Sequence, residues 1–224
     1  MLSQKHPLPA SRFWEEPEFL AFNRLPMRAT LYPYPSKDAA LENVRESSPW
    51  VKMLNGDWMF KMLDQPECLT WEDLDPDSNR SDWNSVQVPG NWTLQGYGKP
   101  HYTNVQMPFP HEPPTVPTDN PTGIYYREMN LPPTWEGRRV IIHFGGAESV
   151  LLLYVNGQYV GLGKDTRLPS EFDITNYLKA GSKNAIAAVV IKWSDASFVE
   201  DQDQWWMGGL HREVYLYSTA GTYI

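Results

Sequence analysis

Short runs of alternating or wholly apolar residues, broken by glycine, proline or asparagine every eight to twelve residues, commit this chain to sheet building. The most legible run is 56–63 (GDWMFKML), where Trp58, Phe60 and Met62 alternate with Asp57, Met59 and Lys61, the mark of a half-buried strand. Further strands are predicted at 83–88, 124–131, 138–144, 150–155, 159–163, 171–174, 184–192 and 212–217. Between two of them stands Asn156-Gly157, a two-residue hairpin signal because both central positions of such a turn need positive φ. A helical turn is predicted at 175–178. About nine short strands at this spacing predict an all-β fold, a β-sandwich of jelly-roll type.

Three stretches break the pattern. Residues 1–49 scatter proline and charge among aromatics and read as a long irregular arm lying on a sandwich of 50–224, with one short helix at 37–46 capped by Ser36. Residues 94–122 carry seven prolines, which exclude a central strand or helix across most of that length. Residues 193–212 (WSDASFVEDQDQWWMGGLHR) pack four acids, three tryptophans and a Gly-Gly pair between two strands. They read as a long loop anchored by rigid neighbours, the usual setting for function.

Composition narrows the classes of partner. A formal charge of −8 argues against nucleic acid or an anionic membrane, which need clustered cations. The N-terminus lacks the apolar core of a secretory signal, and no stretch reaches the length of a membrane helix. With a single cysteine, Cys68, no internal disulfide is possible, so a reducing, cytoplasmic setting is expected. Ten tryptophans and twelve tyrosines suit a sandwich core first and platforms for sugar rings second.

The motifs NPTGIYYREMNLP, VNGQYVGLGKDTRLPSEFDI and WSDASFVEDQDQWWMGGLHREVYL, with NRLP near Asn23 and YTNV at 102–105, resemble the N-terminal sugar-binding domain of glycoside hydrolase family 2 β-galactosidases. The resemblance runs from about Trp14 to the last residue. It implies a galactose-binding-domain-like jelly roll that is a piece of a longer homo-oligomeric enzyme, with an immunoglobulin-like domain and a catalytic (β/α)₈ barrel elsewhere. It implies a β-galactoside as the sugar partner, no catalytic residue within this chain, and Asn104, Val105 and Asp203 as substrate-binding residues. Asp203 is further implied as a sodium ligand and Asp195 as a ligand of a peripheral magnesium ion. Lys164 stands where the family has a glutamine ligand to that magnesium, which places the site in question here, since a cation repels a metal.

The residues themselves support part of this. An ionised carboxylate is a strong acceptor for sugar hydroxyls and a hard ligand for a cation, and an amide both donates and accepts. Glu200 and Asp201 are expected to brace the loop through backbone N–H groups, Arg167 or Arg212. A glycosidase pair among Glu200, Asp201 and Asp203 would need opposed protonation states, which nothing in the sequence imposes. His101 and His111 have no acid or cysteine at ligand spacing and read as surface or hydrogen-bonded residues. Gly145-Gly146 and Gly208-Gly209 lack a phosphate-loop context and read as turns. One of Trp205 and Trp206 is expected in the core, with Trp206 standing evenly between core and site. A stand-alone carbohydrate-binding module and a scaffold used only for assembly are the competing functional readings.

Overall fold

Side chains alternate across a strand, so a chain patterned in this way can bury its apolar faces only by stacking sheets. The computed structural model describes residues 8, 12–104 and 106–223. In chain order it has β1 (Ala21–Phe22), α1 (Lys37–Glu42), β2 (Val51–Met53), β3 (Gly56–Leu63), α2 (Trp71–Leu74), β4 (Asn84–Val88), β5 (His101–Thr103) and β6 (Thr122–Asn130). There follow β7 (Arg139–Phe144), β8 (Val150–Val155), β9 (Gln158–Lys164), β10 (Ser170–Asp173), β11 (Lys183–Ile191), α3 (Asp195–Val199), β12 (Gln204–Trp206) and β13 (Val214–Thr219). The nine predicted strands all form, with ends within about two residues, and four strands of two or three residues join them.

A seven-stranded sheet runs β1-β9-β8-β11-β6-β3-β4 and a four-stranded sheet runs β10-β7-β13-β2, with a separate ribbon of β12 and β5. The strand pairs are antiparallel. Phe60, Tyr125, Leu151, Leu153, Ile186, Ala188 and Val190 of the large sheet belong to one core with Ile142, Phe144, Val214 and Leu216 of the small one. The alternate residues Ile124, Tyr126, Leu152, Tyr154, Ala187 and Val189 form a second core on the opposite face, closed by Phe13, Trp14, Leu69 and Leu74. Burial on both faces explains why β8 and β11 read as continuous apolar runs rather than alternating ones.

The arm that covers these faces belongs to the sandwich itself. Its β1 pairs with β9 at the edge of the large sheet. Arg28 then crosses to the small sheet, where its guanidinium forks onto Glu171 with both bonds at 3.2 Å and reaches the Tyr217 hydroxyl at 2.8 Å. Glu171 also meets His143 Nδ1 at 2.9 Å and accepts from Tyr217 at 3.1 Å. Burial pushes the Glu171 carboxyl up, but His143, Arg28 and Tyr217 together outweigh it and hold the group below its ordinary value.

Local chemistry accounts for the turns. Asn156 (φ 51°) and Gly157 (φ 75°) both take the left-handed region that the β8–β9 hairpin requires. The Ser36 side chain accepts from Ala39 N as the cap of α1. That helix stops at Glu42 rather than continuing to residue 46, because Asn43 turns left-handed at φ 53°.

Candidate functional site

The segment between β11 and β13 is not the open loop that its composition suggests. It holds α3 and then β12, which pairs with β5 from the proline-rich stretch: Gln204 faces Thr103, Trp205 faces Tyr102 and Trp206 faces His101. Neither half of this ribbon has the alternating length of a normal strand, so each is visible only through the other. Both ends of the segment are fixed. Asn120 donates to Trp193 O and accepts from Trp193 N, each at 2.9 Å. At the far end Gly208 N donates to Glu148 Oε2 at 2.9 Å, and Trp92 N donates to Gly208 O at 3.2 Å.

Gly208 (φ 84°) and Gly209 (φ 112°) are more than a turn. A Cβ on Gly208 would stand 2.5 Å from the Trp92 ring, and one on Gly209 would stand 2.7 Å from the Tyr125 hydroxyl. Only glycine lets the ribbon's base lie so close to the core.

Alternation then sorts the ribbon's side chains. Trp206 points inward, 2% exposed, packs 5.3 Å from Trp193 and donates from Nε1 to Thr103 Oγ1 at 2.8 Å. Trp206 is therefore core. Trp205 and Tyr102 lie opposite one another on the outer face, 54% and 53% exposed, with ring centroids 5.4 Å apart. One residue beyond the last rung, Asn104 and Asp203 are both exposed. The Tyr102 hydroxyl donates to Asp203 Oδ1 at 2.5 Å. That carboxylate pushes the Tyr102 hydroxyl above its ordinary value, while Asn104 pulls it partly back. Asp203 is thus held by a tyrosine that sequence reasoning passed over; its place two residues before Asn104 in YTNV was the available signal. Val105 lies outside the described residues.

The remaining acids behave differently from one another. Glu200 Oε1 accepts from the backbone of Thr166 at 2.9 Å, the bracing role expected of it. Asp201 Oδ1, expected to brace as well, is buried without a partner among the described residues. Arg167 bonds Gln204 rather than a loop acid, and Arg212 donates to the Arg167 carbonyl at 3.0 Å. His101 is exposed beside Trp193, and burial with the nearby Lys192 charge holds its imidazole below the ordinary value.

Two cation sites can be set against these residues. Asp203 offers a hard oxygen suited to a sodium ion. Among the described residues no three His, Cys, Asp or Glu side chains gather closely enough to hold a metal. Asp195 does not fit a magnesium ion, since the Lys164 ammonium lies 2.6 Å from its Oδ1, where such an ion would have to stand.

Clefts of about 410 and 530 Å³ open elsewhere, around His143, His211 and Arg45 and around Trp135 and Arg139, and neither includes the ribbon. The ribbon's outer face is open to solvent at Trp205 and Tyr102. No helix among the described residues is long and apolar enough to cross a membrane.

Comparison with known proteins gives this face a context. The chain is 45% identical over 207 residues to a β-galactosidase of Yersinia enterocolitica, covering 92% of this chain and 19% of that protein. It is 42% identical over 208 residues to a β-galactosidase of Psychromonas ingrahamii, covering 93% of this chain and 20% of the relative. The chain therefore spans about a fifth of the length of the curated relatives it matches. Among solved structures, a β-glucuronidase of Bacteroides uniformis superposes with a TM-score of 0.58 at 24% identity, over 76% of this chain and 18% of that one, a likeness of fold. The family model for the sugar binding domain of glycosyl hydrolases family 2 matches residues 51–220, and the chain belongs to that family.

Proposed function

We propose that the chain is the galactose-facing N-terminal domain of a retaining β-galactosidase that hydrolyses terminal β-D-galactosides such as lactose. The β5–β12 ribbon supplies one wall of its pocket. The observation that carries this reading is the bond from Tyr102, two residues before Asn104, to Asp203 across 101 positions of chain, with Asn104 and Asp203 both exposed. Asp203 accepts from galactosyl hydroxyls and lends one oxygen to a sodium ion. Asn104 donates and accepts beside it, and Val105 borders the ring.

Catalysis belongs to the remainder of a longer protein. A retaining glycosidase needs two carboxyl groups about 5 Å apart in opposed protonation states, whereas the ribbon's outer face presents Asp203 alone. That longer protein works as a cytoplasmic homo-oligomer. The test is Asp203→Ala in the full-length enzyme. The expected result is a KM for an aryl galactoside raised at least about tenfold, roughly 1.4 kcal/mol, with loss of the sodium response. Unchanged KM and sodium response would leave only a scaffold.

A second reading, a stand-alone carbohydrate-binding module, is favoured by the exposed Tyr102–Trp205 pair, which resembles a stacking platform. Titration of the chain alone with galactose and lactose separates the two. Saturable micromolar binding points to a module, and negligible binding to one wall of a composite pocket.

A further inference from the structure

Lys164 ends β9 with its side chain shut off from solvent, an unusual place for an ammonium group. Its Nζ is surrounded by three oxygens: Phe13 O at 3.1 Å, Glu16 O at 2.9 Å and Asp195 Oδ1 at 2.6 Å. An ammonium has three N–H donors and no acceptor, so this cage satisfies it completely. The single carboxylate balances its charge, without which burial would be strongly unfavourable. One carboxylate and two carbonyls are also the ligand types that a hard metal ion selects.

The cage ties α3, which belongs to no strand ladder, to the arm and to β9, which already meet through the β1–β9 pairing. Phe13 and Glu16 belong to the arm, Lys164 to the large sheet and Asp195 to the first turn of α3. Two residues beyond Lys164, Thr166 N donates to Glu200 at the other end of that helix. The exit of β9 therefore holds α3 at both ends, Asp195 by an ion pair and Glu200 by a backbone bond. Asp203 follows three residues later. Whatever fixes the cage also fixes the approach to the ribbon.

The geometry points to Lys164 as a built-in cation: its ammonium takes the place of a divalent metal ion, so that the arm, the large sheet and α3 are locked together without metal. A metal ion cannot share the cage, because the two positive centres would stand within hydrogen-bonding distance of one another with only Asp195 between them. Removing the ammonium while supplying an oxygen restores a metal site. Lys164→Gln places an amide oxygen beside Phe13 O, Glu16 O and the Asp195 carboxylate, while Lys164→Met removes the charge and adds no hard ligand.

The test reads thermal stability and metal binding, not sugar turnover, so it stands apart from the galactosidase reading. The unaltered chain is expected to melt at the same temperature in EDTA and in millimolar magnesium chloride, with no magnesium binding by calorimetry. Lys164→Gln is expected to melt several degrees lower in EDTA and to recover with magnesium, and Lys164→Met to melt lower in both. Far-UV circular dichroism confirms that the variants remain folded. Magnesium binding by the unaltered chain that Asp195→Asn abolishes would overturn the proposal. So would a Lys164→Gln chain, folded or not, that magnesium fails to stabilise.

Discussion

The Tyr102 hydroxyl donates to Asp203 Oδ1 across 2.5 Å on the exposed face of a ribbon, between residues 101 positions apart in the chain. One oxygen of the carboxylate is thereby held in place, while the tyrosine ring lies beside Trp205. A ligand that meets Asp203 therefore meets a group already oriented, which reduces the ordering cost of binding.

Tyr102→Phe keeps the ring and removes the donor. The expected outcome in the full-length enzyme is a several-fold weaker apparent affinity for galactoside, with the melting temperature of the protein unchanged. A melting temperature that falls together with affinity would mark Tyr102 as a structural residue.

Trp205 and Trp206 are neighbours with opposite fates, 54% and 2% exposed. Trp206→Ala should destabilise the chain by about 3–5 kcal/mol, the range for a large aromatic lost from a core. Trp205→Ala should stay within about 0.5 kcal/mol, as surface changes do. Urea unfolding of both variants checks the contrast, and equal losses would contradict the alternation assigned to β12.

Glu171 links the arm to the small sheet, and its carboxyl titrates below the ordinary 4.5 in the folded chain. A group depressed in this way stabilises the fold fully above 4.5, and the contribution is lost as pH falls through the folded value. Glu171→Gln should cost about 1–2 kcal/mol at pH 7, since Arg28 and His143 lose their carboxylate while Arg28, itself more than a third exposed, keeps the Tyr217 hydroxyl. It should also flatten the acid limb of stability against pH below 4.5, measured by denaturant melts.

Glu148 titrates the opposite way. Burial raises its carboxyl above 4.5, with Gly208 N and the Lys192 charge drawing it partly back. A raised carboxyl favours folding below its ordinary value, and that contribution is lost as pH rises through the folded value. Glu148→Gln keeps an oxygen for Gly208 N and should remove this loss, so stability changes less between pH 4.5 and 7 than in the unaltered chain. Glu148→Ala strips the acceptor from Gly208 N and should loosen the ribbon, seen as faster amide exchange across 204–208.

How much of this was legible beforehand depends on the range of the interactions involved. The β8–β9 hairpin was readable from Asn156-Gly157 alone, because positive φ is a property of two residues. The ribbon was not, because β5 and β12 are three residues each and neither shows a period. Asp203 stood out through its acidic and aromatic neighbours, yet its tyrosine partner lay 101 positions away. The orientation of Trp205 and Trp206 likewise followed from strand pairing that their own dipeptide does not encode.

By itself the sequence determined the strands, the turns and the all-β class, since alternation, proline and left-handed asparagine act within a few bonds. The family resemblance also marked Lys164 as a cation where the family has a metal ligand. The tertiary structure alone decided that this ammonium sits in a cage of Phe13, Glu16 and Asp195 oxygens, and that Tyr102 bonds Asp203. The physical reason is that hydrogen bonds and ion pairs act over about 3 Å, and only the packing of two sheets and their arm brings residues so distant in the chain within that reach.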